Sequence, residues 1–148
     1  MITFSADPSA RCSSGSLPGG AFDYGDAPPT CGVAITGGVD INLKSYIRVQ
    51  GFKITSFGKG IVMQDGLTNV VTNIEILNNH IRAGGGDAIE ARNADNVLIE
   101  NNYLDNLNPA SDVSGITTRG DDSMISNLSI LATNVTIRGN AFLHMDCD

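Results

Sequence analysis

A chain of 148 residues, of which 41% are apolar and 17% charged, is large enough to fold as one domain around a core. Its 9 basic and 16 acidic residues give a net charge of −7, which argues against a nucleic-acid partner because phosphate binding requires concentrated Lys and Arg. No apolar run reaches the length of a membrane span, and residues 1–20 lack the basic start and apolar stretch of a signal peptide.

The N-terminal segment, residues 1–31, is predicted to be irregular, with a partial turn of the repeat described below and a loop rich in Gly, Pro and Ser. Cys12 and Cys31 flank this loop. A disulfide between them is expected if the protein is extracellular. The alternative is three reduced thiols in a cytosolic protein, and Cys147 has no evident partner.

A strand pattern of alternating apolar residues then occurs four times, in SYIRVQGFKI, TNIEILNNHI, DNVLIENNYL and TNVTIRGNAF, at residues 45–54, 72–81, 95–104 and 133–142. A second pattern lies in CGVAITGG, KGIVMQDG, DAIEARNA and SGITTRGD, at residues 31–38, 59–66, 87–94 and 114–121. From Val33 through Ile61 and Ile89 to Ile116 the steps are 28, 28 and 27 residues. Such regular steps predict a solenoid that climbs one strand spacing per coil, with a third short strand such as Lys53 to Phe57.

Three columns of equivalent residues support this prediction. An Asn column at a sharp bend should pass amide hydrogen bonds from coil to coil, and its members tolerate left-handed backbone conformations. An apolar column packs beneath that bend, and a column of small residues precedes the second strand, where the chain turns tightly. The columns are Asn79, Asn102 and Asn140; Ile54, Ile81, Leu104 and Phe142; and Gly32, Gly60, Ala88 and Gly115. A leucine-rich repeat is disfavoured because Leu is sparse and no helical segment follows each strand.

The repeats YIRVQGFKI, NIEILNNHI, GGDAIEARNADNVLIENNYL and NVTIRGNAF resemble those of right-handed parallel β-helix proteins of the pectate-lyase-like superfamily, over about residues 32–142. The resemblance implies an all-β fold, a right-handed parallel β-helix of about four to five coils, with residues 32–148 as the repeat domain. It also implies an extracellular or cell-surface location. The superfamily includes polysaccharide lyases, polygalacturonase-type hydrolases, phage tailspikes and secreted surface proteins, so the resemblance specifies a fold rather than an activity.

The second strand is expected to project two columns outward, namely Ala34, Val62, Glu90 and Thr117, then Thr36, Gln64, Arg92 and Arg119. In lyases of this superfamily a basic residue on such a face abstracts a proton while calcium or another cation neutralises the uronate carboxylate. The resemblance therefore makes Arg92 and Arg119 catalytic candidates, with Glu90 and Gln64 as substrate contacts. The alternative is a solvated ladder in which the Arg side chains pair with Glu90, Asp121 or Asp122.

Acidic residues suggest two further sites. RGDDS, residues 119–123, resembles the paired-aspartate segment of polygalacturonase-like hydrolases, but the upstream Asn-Thr-Asp and downstream His-Gly elements are missing, and Asp121 and Asp122 also suit a turn. Calcium is the one cofactor these residues could bind, through Asp87, Glu90, Asp121 or Asp122. Apart from calcium we expect no cofactor.

Lys53, His80 and Tyr103 are expected to share a column, in which His80 and Tyr103 either bind sugar hydroxyls or stack at the surface.

The edge formed by Val135 to Phe142 has no visible helical cap, so we expect self-association through the ends of the β-helix or pairing with the rest of a longer parent protein. We therefore expect a non-catalytic extracellular structural module that could contact polysaccharide. The alternative is a fragment of a polysaccharide lyase or glycoside hydrolase, and if there is activity we expect a lyase.

Overall fold

The computed structural model describes residues 1–6, 33–56, 58–64, 70–105, 115–119 and 132–143. All of the regular structure in these ranges is β-strand, which confirms the all-β prediction. The strands are β1 (Ile2–Ser5), β2 (Ala34–Thr36), β3 (Val39–Asn42), β4 (Ile47–Gln50), β5 (Lys53–Ser56), β6 (Ile61–Gln64), β7 (Val71–Leu77), β8 (His80–Ala83), β9 (Ile89–Arg92), β10 (Ala94–Glu100), β11 (Tyr103–Asp105), β12 (Ile116–Arg119), β13 (Thr133–Arg138) and β14 (Ala141–Leu143).

The strands form three parallel sheets. Sheet A has the order β1-β4-β7-β10-β13, sheet B has the order β2-β5-β8-β11-β14, and sheet C has the order β3-β6-β9-β12. From β2 onward the chain enters sheets B, C and A in that rotation and returns each time to the strand beside the previous one. This topology is compatible with a parallel β-helix, and β5 is the third short strand that the sequence predicts.

The register confirms the first repeated pattern. Ile47, Ile74, Val97 and Val135 are successive partners in sheet A. In sheet B the predicted apolar column is also present, and it begins one strand earlier than expected, with members Ile35, Ile54, Ile81, Leu104 and Phe142. The core lies between the three sheets, where Ile54, Ile76 and Ile89 are fully buried.

The second repeated pattern is confirmed for three copies and wrong for the first. Val39, not Val33, is the partner of Ile61, and Ala34 and Thr36 belong to sheet B, where they pair with Lys53 and Thr55. Both segments carry a Gly followed by alternating β-branched residues, and that local pattern cannot distinguish which sheet a strand joins. The outward columns of sheet C therefore begin with Asp40 and Asn42 instead of Ala34 and Thr36.

The column of small residues needs the same correction. Val39 pairs with Ile61, and its N–H donates to Gly60 O, so the preceding residue, Gly38, is the equivalent of Gly60. Gly38 therefore takes the place in the column that was predicted for Gly32, and Gly32 lies outside the described residues. At Gly60 a Cβ would lie 2.4 Å from Ala88 O and 2.5 Å from Ile81 Cγ2. The two chain segments thus approach closely enough to require glycine there.

The Asn column forms the predicted ladder of amide hydrogen bonds. Asn79 Nδ2 donates to Asn102 Oδ1 at 3.1 Å, and Asn102 Nδ2 donates to Asn140 Oδ1 at 3.0 Å. The backbone N–H groups of Phe52 and Asn79 donate to the side-chain oxygen of the next Asn, at 3.0 Å in each case. The left-handed conformation, however, belongs to the preceding residues, Gly51, Asn78, Asn101 and Gly139, with φ from 53° to 80°. The ladder Asn side chains therefore face inward while their neighbours make the turn.

Candidate functional site

The outer face of sheet C carries an ion-paired cluster of Lys59, Glu90 and Arg92, which we call the Glu90 cluster. Glu90 lies in β9 between Ile89 and Ala91, which point into the core, so its side chain points to the outer face. Lys59 Nζ pairs with Glu90 Oε2, and Arg92 Nε donates to Glu90 Oε1. The Glu90 side chain has no exposed surface, whereas those of Lys59 and Arg92 are 39% and 25% exposed. A buried carboxylate is thus held between two half-exposed cations.

Glycines beside β9 give Lys59 the space to reach Glu90. A Cβ on Gly86 would lie 2.8 Å from Lys59 Cγ and 3.4 Å from Lys59 N. Gly84 N–H bonds Ser56 O at 2.9 Å, which fixes this glycine segment beside the chain that leads to Lys59. The local sequence GGGDAIEAR therefore serves two purposes, a tight approach at the glycines and a charged outer face immediately after them.

The other residues predicted for this face occupy neighbouring strands. Arg119 is the register partner of Arg92, as the sequence predicts, and Thr117 is the partner of Glu90. Gln64 ends β6. The side chains of Gln64 and Arg119 lie outside the described residues, as do Asp121 and Asp122. The sequence analysis did not identify Lys59 as a member of the cluster. Lys59 lies just before Gly60, at the start of the segment whose strand β6 pairs with β9, and this position could have indicated that it reaches Glu90.

The chemistry of the Glu90 cluster favours anion binding over proton abstraction. Two cations and one carboxylate leave one positive charge in the Glu90 cluster. The Arg92 guanidinium donates to Glu90 and is a cation, so it offers hydrogen bonds to a ligand and does not accept a proton. Because Glu90 is fully buried, it has no surface for direct contact with a substrate in this conformation.

In the part of the chain that the structure describes, the side chains do not form a set of calcium ligands. Among those residues no three His, Cys, Asp or Glu side chains come together as a metal site. Asp87 is buried, and its carbonyl oxygen accepts a hydrogen bond from Gly60 N–H at 3.0 Å. Asp87 and Glu90 thus have structural contacts, and the calcium prediction for Asp121 and Asp122 lies outside the described ranges.

Lys53, His80 and Tyr103 share the predicted column in sheet B. The His80 and Tyr103 rings meet edge to face, with centroids 5.2 Å apart and planes at 84°. His80 is 5% exposed and Tyr103 is fully buried, so these rings stack within the structure and present almost no surface to a sugar. His80 Nε2 lies 3.7 Å from Asp105 Oδ2.

Acid should weaken the fold through His80. Burial lowers the pKa of His80 from 6.5, and Lys53 and Arg82 act in the same direction, while Asp105 opposes them. The unfolded chain then takes up a proton at a higher pH than the folded chain, so stability is complete above about pH 6.5 and falls as the pH drops below it. Thermal unfolding temperatures measured across this range should fall more steeply for the wild-type protein than for His80→Gln. Parallel curves for the two proteins would contradict this assignment.

The outer face of sheet A is built from paired charges. Arg48 pairs with Glu75 at 2.5 Å and Arg138 with Glu100 at 2.7 Å, each across neighbouring strands. Asp95 Oδ1 accepts hydrogen bonds from Thr133 Oγ1 and Asn134 Nδ2, both at 2.7 Å. These bonds, that from Thr133 first, lower the pKa of Asp95. Each of these arginines has a carboxylate of its own, whereas the two cations of the Glu90 cluster share one carboxylate, which makes this surface a poorer site for an anionic ligand.

No family model, curated protein or solved structure matches the chain. Within the described ranges, no helix is long and apolar enough to cross a membrane. Cys12, Cys31 and Cys147 lie outside those ranges, so the disulfide stays a prediction.

Proposed function

We propose that the chain is a right-handed parallel β-helix module with a structural, non-catalytic role outside the cell, which associates through the ends of its stacked sheets. The observation that carries this proposal is that both ends of the stack expose apolar residues beside strand edges. Ile2 and Phe4 are 60% and 55% exposed at one end, and Ile137 and Phe142 are 45% and 44% exposed at the other. Exposed strand edges with apolar side chains are templates for pairing with another chain.

The order of the strands supports the β-helix part of the proposal. Each return to a sheet passes through the other two and adds a parallel strand beside the previous one. Crossover connections between parallel strands of one sheet are right-handed in nearly all proteins, because of the right-handed twist of β-strands. The extracellular location follows from the resemblance of the repeats to secreted β-helix proteins.

Burial of the candidate site residues supports a structural role. Glu90, His80 and Tyr103 have little or no exposed surface. Glu90 pairs with Lys59, and the rings of His80 and Tyr103 contact each other across neighbouring strands. Arg92 is bound to Glu90. These residues stabilise the stack of strands through contacts within the chain, which is sufficient to explain their presence.

Association should depend on apolar residues at the ends of the stack. Sedimentation velocity of the wild-type protein at increasing concentration should show a growing fraction of larger species. Ile137→Lys should abolish them, because it places a charge in the apolar seam, whereas Thr136→Lys should not, because Thr136 is the next residue of the same strand and lies in the outward column of Arg48 and Glu75. Circular dichroism of both variants checks that they fold, and a wild-type protein that stays monomeric at the highest concentration would contradict association.

A second function, contact with an acidic polysaccharide, is favoured by the partly exposed cations of the Glu90 cluster. Lys59 and Arg92 outnumber Glu90 and give sheet C a local positive charge in a chain of net charge −7, and Arg119 is the register partner of Arg92. Affinity electrophoresis in polygalacturonate gels should retard the wild-type protein more than Arg92→Ala or Arg119→Ala. Arg138→Ala on sheet A is the matched control. Absorbance from unsaturated uronates that disappears in both sheet C variants would instead assign a lyase.

A further inference from the structure

We propose that Asn134 is a glycosylation site, which carries an N-linked glycan on its side-chain Nδ2 at the start of β13. The inference rests on the extracellular location in the proposed function, because this modification belongs to secreted chains. It adds to that function a covalent modification on the outer face of sheet A.

The local sequence of β13 contains the acceptor pattern. Asn134, Val135 and Thr136 match Asn-X-Thr, in which X is any residue except Pro. Asn134 and Thr136 are both exposed, whereas Val135 between them is partly buried and packs against the core. The amide that would receive the sugar and the hydroxyl that the pattern requires therefore both lie at the surface of the folded protein.

The neighbouring coils show which part of this pattern the fold requires. An Asn with a left-handed backbone precedes each of three register partners in sheet A, and φ is 59° at Asn73, 53° at Asn96 and 50° at Asn134. The residue two positions later differs from coil to coil, in the order Glu75, Leu98 and Thr136. The turn thus explains the three Asn residues, because Asn tolerates this conformation, but it does not require a hydroxyl two residues later.

The contacts of Asn134 leave room for a sugar on its amide. Asn134 Nδ2 donates a hydrogen bond to Asp95 Oδ1 at 2.7 Å. A side-chain amide has two N–H groups, so glycosylation replaces one and leaves the other to bond Asp95. Thr133 Oγ1 donates to the same carboxylate oxygen at 2.7 Å and is not affected. A glycan can therefore extend into solvent while the bonds between β10 and β13 are preserved.

The modification is a transfer of an oligosaccharide from a lipid-linked pyrophosphate donor by a transferase of the secretory pathway. A bond forms between Asn134 Nδ2 and the anomeric carbon of the first sugar. The bond from that carbon to the pyrophosphate oxygen breaks, the lipid pyrophosphate leaves, and the amide loses one proton. The product places a bulky, hydrophilic group on the surface.

Expression of the full chain behind a secretion signal in a eukaryotic host tests the site. Asn127 also matches the pattern, in Asn-Leu-Ser, and lies outside the described residues, so Asn127→Gln is introduced into every protein tested. Mass spectrometry of peptides from the secreted protein should find one glycan, on Asn134. Thr136→Val should lose it, whereas Thr136→Ser should keep it because serine supplies the hydroxyl. An endoglycosidase should remove the glycan from the folded protein, since the site is exposed.

Leu98→Thr combined with Thr136→Val is the matched control, because it moves the acceptor pattern to Asn96, which is exposed and has the same left-handed backbone. An unmodified Asn134 would overturn the inference, whether or not Asn96 is glycosylated in the control. Sedimentation of protein made in bacteria, which lacks the glycan, measures association separately. A glycan on Asn134 in a chain whose unmodified form stays monomeric would contradict the proposed association and leave the glycosylation site standing.

Discussion

Replacement of Lys59 and Arg92 together by Met is expected to lower the free energy of unfolding by about 3–5 kcal/mol. The reason is that Glu90 is fully buried and both cations bind its carboxylate oxygens. Removing the cations takes away the interactions that compensate for burying the charge, whereas Met preserves most of the packing of the long side chains. Urea unfolding followed by circular dichroism measures the difference.

A triple variant separates charge burial from packing. Adding Glu90→Leu to the Lys59→Met and Arg92→Met changes should recover most of the lost stability, because an apolar side chain no longer needs the cations. Arg48→Met together with Arg138→Met is the control, since those residues form more exposed pairs on sheet A, where each ion pair contributes at most about 1 kcal/mol. If the triple variant were no more stable than the double variant, the buried charge would not be the cause.

Replacement of Asn102 by Ala is expected to cost about 2–6 kcal/mol, because two buried backbone groups lose their partners at about 1–3 kcal/mol each. Asn102 Oδ1 accepts from Asn79 N–H at 3.0 Å, and Asn102 Nδ2 donates to Ile76 O at 2.9 Å. The Asn102 side chain is fully buried, so water cannot replace these bonds without opening the stack. Denaturant unfolding again measures the effect.

Asn96→Gly is the matched control for Asn102→Ala. Asn96 is exposed, has φ of 53° and donates to Asn73 Oδ1 at 2.6 Å. Glycine accepts this backbone conformation, so the change should stay within about 0.5 kcal/mol, as surface substitutions usually do. Similar losses for the two variants would mean that the buried ladder contributes no more than an exposed amide pair.

The Asn ladder and the apolar columns could be predicted from the sequence because each depends on a repeated local pattern. Equivalent positions recur at steps of 27, 23 and 38 residues along the ladder, and parallel stacking then brings them together. The left-handed residues could not be placed as well, because Asn occurs at both positions of the pairs Asn78-Asn79 and Asn101-Asn102. Only the backbone shows which of the two makes the turn.

The error at Val33 and the burial of Glu90 have different physical causes. Residues 33–36 and 39–42 each follow a Gly and have Val and Ile at alternate positions, and their sheets are decided by pairing with β5 and β6. Alternation predicts correctly that Glu90 points outward. It contains no information about what covers an outward side chain, so neither the burial of Glu90 nor the role of Lys59 followed from the pattern.

Cryo-electron microscopy of the concentrated protein tests most directly whether these sheets form a parallel β-helix whose molecules associate through the ends of the stack. We expect particles larger than one molecule, in which the strands of each molecule are stacked at a spacing of ~4.8 Å and three sheets surround a common core. Isolated single molecules at every concentration, or assemblies whose molecules touch only through the outer faces of the sheets, would contradict the account.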